Sequence, residues 1–318
     1  MSRIYEALKR AESERTSAQR ERTARSHPST DTAVAEAVAP LPLRETRAPF
    51  PEHGAENGKP SAIAEAVDPA SFDSATIPRR KWNLDLTQLP ALQDRGAAVE
   101  QFRSLRSRMY EFRDQARLKS ILVSSGLPQE GKSFIAANLA ISLARHKKSR
   151  VLLIDGDMRR STLHKVLGCE PHPGLVEYLA GKATLQEVMQ KMEWVQDAQT
   201  PRNEALANLT FIGGGDNGDQ AADLSGSRRF QELLTAVAPS FDWIVVDSSP
   251  VIPVSDAVNL ARACDGVLLV ARGGVTQFTV AQRAQSELKA SKILGFVLNA
   301  VKDAPAAEGY YGYNANEA

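Results

Sequence analysis

The residues best suited to chemistry stand in one short run. Gly126, Leu127, Pro128, Gln129, Glu130, Gly131, Lys132 and Ser133 spell G-x-x-x-x-G-K-S. An apolar run, Ile121–Val123, precedes them, and an Ala/Leu-rich stretch opening at Phe134 follows with helical spacing. Strand, glycine loop and helix together turn the pattern into a mechanism, because loop amides and a helix N-terminus then converge on an anion. In such a loop the lysine reaches the β/γ-phosphates and the hydroxyl after it sits on Mg²⁺. An ordinary glycine turn is the plain alternative, but all four fixed positions are present in the right context. The run predicts that the chain binds a nucleoside triphosphate.

Carboxylates come next. Val151–Ile154 leads into Asp155 and Asp157, one residue apart, and Ile244–Val246 leads into Asp247. Mg²⁺ is held by one or two carboxylates together with waters and phosphate oxygens, so Asp247 reads as the Walker B carboxylate. A lone aspartate after a strand is often a helix cap; three at the strand ends of a P-loop sheet make that reading weak. The Asp155/Asp157 pair suits a tyrosine acceptor, since a phenol stays neutral at pH 7 and gains from a nearby base. Such an acceptor is at hand: Tyr310, Tyr311 and Tyr313, half of the chain's six tyrosines, crowd a Gly-flanked C-terminal tail.

The elements that must position these groups are legible as period and composition. From residue 119 onward, near-continuous apolar strands alternate with helical stretches, which predicts an α/β P-loop NTPase fold with a mostly parallel sheet covered on both faces. Ligands in such sheets bind at the carboxyl ends of the strands. Upstream, Val99, Phe102, Leu105, Met109 and Phe112 mark one face of a long helix, with Glu100, Arg103 and Arg106 on another. Residues 26–80 hold eight prolines and no lasting period, which predicts a disordered linker. Residues 1–25 open with Ile4, Leu8 and Ala11 on one stripe of a charged helix, either a docking helix or a frayed end. The predicted division is 1–25 helix, 26–80 linker, 81–303 P-loop domain and 304–318 flexible tail.

Composition excludes several classes. Formal net charge is +1, so no global field argues for nucleic acid. The two cysteines, Cys169 and Cys264, stand far apart in no metal spacing. No run approaches the ~20 apolar residues of a membrane span. The expected location is therefore cytoplasmic; for work at a membrane, something else must hold the chain there.

Taken together, the loop, the hydrophobic-D-x-D-x-R run at Leu152–Arg159, the Asp247 strand with Pro250, the E-x-x-R-x-x-R of Glu100–Arg106 and the terminal tyrosines resemble the bacterial tyrosine kinase (BY-kinase) family. These are P-loop autokinases of capsule and exopolysaccharide export, and the resemblance covers about residues 95–318. It implies that Lys132 stabilises the transferring phosphate. Ser133, Asp157 and Asp247 would order Mg²⁺, and Asp155 would face the tyrosine as base, its division of labour with Asp157 left open. It further implies a homo-oligomeric ring with Glu100, Arg103 and Arg106 at the interface, a reading favoured over the solvated face that the bare residues suggest. Asn299 would approach the adenine. A transmembrane chain-length co-polymerase would activate the chain, and a phosphatase would reset its tail. Gln129 stands where relatives often have glycine, Ser248-Ser249 where Thr-Pro is usual, and Ser161 where proline is common. The competing readings are a partition or cell-division positioning ATPase, which would carry a signature lysine where Leu127 stands, and a silent nucleotide-binding scaffold.

Overall fold

A computed structural model describes residues 74–146, 148–193, 204–216 and 220–301. The N-terminal helix, most of the linker and the tail tyrosines Tyr310, Tyr311 and Tyr313 lie outside the described residues. Eight strands form one sheet: β1 (Arg79–Arg80), β2 (Ser120–Ser125), β3 (Val151–Asp155), β4 (Met189–Met192), β5 (Leu209–Ile212), β6 (Trp243–Asp247), β7 (Gly266–Arg272) and β8 (Ile293–Asn299). Their spatial order is β1-β4-β5-β3-β6-β2-β7-β8. The six strands from β5 to β8 run parallel, and β4 joins β5 antiparallel.

Central strands buried on both faces explain the unbroken apolar runs, and the two-residue pleat divides each run between two cores. Ile121, Val123, Val151, Leu153, Trp243 and Val245 enter one core. Leu122, Leu152, Ile154, Ile244 and Val246 enter the other. The helices are α1 (Ala97–Gln115), α2 (Lys132–Arg145), α3 (Leu163–Leu167), α4 (Leu175–Leu179), α5 (Leu185–Val188), α6 (Glu204–Ala207), α7 (Ala221–Ser225), α8 (Arg228–Val237), α9 (Asp256–Ala263) and α10 (Phe278–Glu287). Residues of α1, α2, α3 and α6 pack in the first core, and those of α4, α5 and α7–α10 in the second. None of the described helices is long and apolar enough to cross a membrane.

The phosphate-loop helix α2 is buried without a break from Ile135 to Ala144. A helix apolar all round needs cover on every side; the sheet gives it on one side, and α1 with residues 85–92 on the other. Asn138 fixes that cover. Its side-chain oxygen accepts from the Ala91 N–H at 3.0 Å, and its amide donates to the carbonyls of Gln88 and Phe134 at 2.8 and 2.9 Å. Arg145 adds bonds to the carbonyls of Ala91 and Gln93.

One boundary is corrected. The linker was expected to run to residue 80, yet Ile77 is buried and Arg79–Arg80 pair with Lys191–Met192. Pro78 misled the reading: it opens an edge strand, where its missing N–H does no harm. Its carbonyl still accepts from the Lys191 N–H at 2.9 Å. Strand β4 was missed as well, because Met-Gln-Lys-Met carries no β-branched residue.

Asn138→Leu strips the Ala91 N–H and the Gln88 carbonyl of their partners. The expected loss is about 2–4 kcal/mol in folding stability, read by urea denaturation against wild type.

Candidate active site

Strands β2, β3 and β6 end side by side, and their last residues set the site. Asp155 and Asp247 are register partners across β3 and β6, and Val123 pairs with Asp247 from β2. The loop that leaves β2 turns into α2 through Gly131 at φ +92°. Only glycine holds that angle cheaply. A side chain would also strike Asn299, whose Nδ2 lies 1.9 Å from where a Cβ would stand. Pro128, Gln129, Gly131, Lys132, Ser133 and Phe134 line a cleft of about 410 Å³. Asp157, Arg159, Arg160, Thr162, Ser249 and Pro250 form much of its other wall.

Lys132 Nζ meets Asp157 Oδ2 at 2.8 Å. Burial works to lower the lysine pKa, but Asp247, Asp157 and Asp155 together outweigh it and hold the ammonium above its usual value. Asp157 Oδ1 accepts from the Arg160 N–H at 3.1 Å. Asp247 is wholly buried and neither of its oxygens makes a hydrogen bond of normal geometry. Burial pushes it up to about 7 against the pull of Lys132, with the Ser133 hydroxyl near enough to favour the charged form. Among the described residues no three His, Cys, Asp or Glu side chains form a ready cage for a metal. Two bare carboxylate oxygens beside a loop hydroxyl nevertheless fit a hard cation that completes its shell with phosphate and water, as Mg²⁺ does.

Asp155 is where the expected roles part. It was expected to face the tyrosine, but it is fully buried and does not line the cleft. Its Oδ2 accepts from the Ser161 hydroxyl at 2.7 Å and from the N–H groups of Thr162 and Leu163 at 3.0 Å each, capping α3. Its Oδ1 is left without a partner. Burial raises its pKa to about 6, with the Ser161 hydroxyl opposing. The helix-cap role that sequence reasoning discounted is real at this one aspartate, and Asp157 is the carboxylate on the cleft wall.

Asn299 is placed beneath the loop. Its amide donates to the Glu130 carbonyl at 3.0 Å, and it does not line the cleft. Gly126, Leu127 and Glu130 are absent from the cleft wall too. On α1, Glu100 pairs with Arg103 at 2.5 Å, Arg103 reaches the Asp94 carbonyl, and Arg106 donates to the Ser142 carbonyl of α2 at 3.0 Å. Arg106 therefore braces its own domain.

Three features went unread in the sequence. Ser161 bonds Asp155 on one side and His164 Nδ1, at 3.1 Å, on the other. Thr162 donates to the Ser133 hydroxyl at 3.2 Å. Arg159 is held at the cleft by buried Asp256, at 2.6 Å. The Thr162–Ser133 and Arg159–Asp256 contacts join distant parts of the chain, and only the D-x-D-x-R run hinted at Arg159.

A parallel sheet, a phosphate loop and carboxylates at the neighbouring strand ends define a P-loop nucleotide-binding protein. Residues 126–286 match the AAA domain family. The chain is 32% identical to Tyrosine-protein kinase YwqD of Bacillus subtilis (strain 168), over 68% of its own length and 87% of YwqD. It is 31% identical to Tyrosine-protein kinase ptk of Acinetobacter johnsonii over 75% of its length, but spans only 31% of that longer protein. The kinase domain of the Escherichia coli tyrosine kinase ETK superposes with a TM-score of 0.62 at 27% identity, covering 74% of this chain and 88% of that domain. The chain belongs to the bacterial tyrosine-protein kinase family.

The buried carboxylates fix a pH dependence. Unfolded, Asp155 and Asp247 titrate near 4; folded, they titrate at about 6 and about 7. Between these values the folded chain holds protons that the unfolded chain has released, so stability falls as pH rises. Lys132 adds no slope there, being charged in both states. Without Mg²⁺ or nucleotide, denaturant midpoints should drop from pH 5 to pH 8, and Asp247→Asn should flatten the drop. An unchanged slope in that variant would refute burial of Asp247 as its source.

Proposed function

We propose that the chain transfers the γ-phosphate of ATP to Tyr310, Tyr311 and Tyr313 of a neighbouring copy. The observation that carries this reading is the pairing of Lys132 with Asp157 on the cleft wall, with the bare oxygens of buried Asp247 beside that lysine, in a chain that carries a tyrosine cluster at Tyr310, Tyr311 and Tyr313. Phosphoryl transfer asks mainly for positioning and charge stabilisation. Loop amides and the α2 N-terminus hold the phosphates, and Lys132 follows the charge on the moving group. Ser133 and Asp247, with Asp157 beside them, would hold Mg²⁺, which shields the phosphate oxygens when bound. As the phenol attacks in line, its proton passes to Asp157 on the cleft wall. Asp155 stands behind, fixing the turn that presents Arg160 and Thr162 to the cleft.

Transfer between copies suits a ring, with α1 and its Glu100, Arg103 and Arg106 as the contact. Added phosphates bring about 1.5–2 negative charges per tyrosine, so the modified form should be the looser assembly. The setting we assign is the inner face of the cell membrane, reached through a transmembrane co-polymerase of capsule or exopolysaccharide export. A protein-tyrosine phosphatase would reset the tail.

The deciding measurement is mass spectrometry of the C-terminal peptide after incubation with Mg-ATP. Phosphate should appear on one or more of Tyr310, Tyr311 and Tyr313 in wild type, and fall at least ~100-fold in Lys132→Met, the scale of losing a preorganised charge contact in the transition state. A tail that stays bare while ATP is hydrolysed would overturn the kinase reading.

A further inference from the structure

A carboxylate inside an anion cradle is electrostatically adverse, since it adds negative charge beside the phosphates. Glu130 nonetheless occupies the loop and is only 4% exposed. Its partners explain its presence. Oε2 accepts from the Leu127 N–H at 2.8 Å, within the same loop. Oε1 accepts from the Thr276 hydroxyl, on the connection between β7 and α10. The Thr276 oxygen in turn accepts from the Arg272 N–H at 2.8 Å, at the end of β7. The Glu130 carbonyl accepts from Asn299 at the end of β8, and the Asn299 carbonyl accepts from the Gly273 N–H at 2.7 Å. Asn299 also fills the space that any side chain at position 131 would need.

These contacts fasten the phosphate loop to the ends of two strands on the side away from the cleft. They also turn the Leu127 N–H inward, so that it is engaged within the loop rather than offered to a phosphate. The loop is thereby held in its binding shape before ATP arrives, and ordering that a ligand need not impose is affinity gained. We propose that Glu130 is a positioning residue: with Thr276 and Asn299 it forms a brace that sets the affinity of the loop for Mg-ATP without touching the nucleotide. The proposal rests on the reading of this loop as the ATP site.

The test uses the full chain and three substitutions, Thr276→Val, Thr276→Ser and Glu130→Gln. Affinity is read with a fluorescent Mg-ATP analogue, and KM and kcat from tail phosphorylation. Thr276→Val removes the hydroxyl at nearly constant shape; Glu130→Gln keeps the shape of the side chain and covers the case in which the valine variant fails to fold. Both should raise Kd and KM about 5–20-fold, the scale of one lost hydrogen bond to a buried charged group. Turnover at saturating ATP should stay within about threefold, and Thr276→Ser should return Kd to within about twofold of wild type. Wild-type Kd in both Thr276→Val and Glu130→Gln overturns the brace. So does a fall in kcat with Kd unmoved, which would put Glu130 in the chemistry, or a serine variant that restores nothing. The Kd pattern is measurable in a chain that never labels its tail, so failure of the kinase reading and failure of the brace remain distinct.

Discussion

Two carboxylates buried side by side at the ends of β3 and β6 constrain the rest of this molecule. Asp155 and Asp247 are wholly buried register partners, and charge on both is opposed by burial and by each other. The fold answers them unequally. Asp155 spends one oxygen on the start of α3, which organises the turn carrying Arg160, Ser161 and Thr162. Asp247 receives no such bonds. Its compensation is Lys132, and that lysine is shared with Asp157. One cation serving a cluster of three carboxylates leaves room for another, which is why the arrangement suits a metal–phosphate ligand. Buried groups left incompletely paired cost stability, and here the cost falls where the chemistry is.

The same sheet edge gathers support that does no chemistry itself. Asn138 holds the cover over α2, Glu130 and Thr276 hold the loop from behind, and Asp256 holds Arg159 at the cleft. All are buried or half-buried polar side chains whose partners lie on other elements. A phosphate loop is nearly all backbone, so its precision depends on what it leans against, and in this chain it leans on the ends of β7 and β8.

How far the sequence could be read follows from the range of each interaction. The strands β2, β3 and β5–β8 and the helices α1–α3 and α8–α10 were legible, because period and apolar runs are local signals. So was the phosphate loop, whose ligands lie within eight residues. What stayed hidden is long-range. The resemblance assigns Asn299 to the adenine, and nothing local announces that its amide donates to the Glu130 carbonyl, 169 positions earlier in the chain. The capping role of Asp155 was local in principle, but three aspartates at strand ends made capping look weak for the set. Strands β1 and β4 are short pieces at one end of the sheet whose residues carry little β signal, so only their pairing reveals them.

The departures from the family pattern show what such a site tolerates. Gln129, where relatives often have glycine, sits at φ +64°, a left-handed conformation that costs a side chain about 1–2 kcal/mol. The strain is bearable because Gln129 lies exposed on the cleft wall, while Gly131, at the same hand of turn, has no such freedom. Ser248 bonds the Val123 carbonyl, and the Ser249 carbonyl accepts from Ser124, so the turn after β6 is tied to β2 without a proline at position 249. Ser161 does more than substitute: proline has no side-chain donor, and the serine hydroxyl gives Asp155 its shortest bond and links it to His164. The residues that touch phosphate or metal in the proposed mechanism are all retained. At the turns between them, one backbone geometry can be reached by more than one side chain.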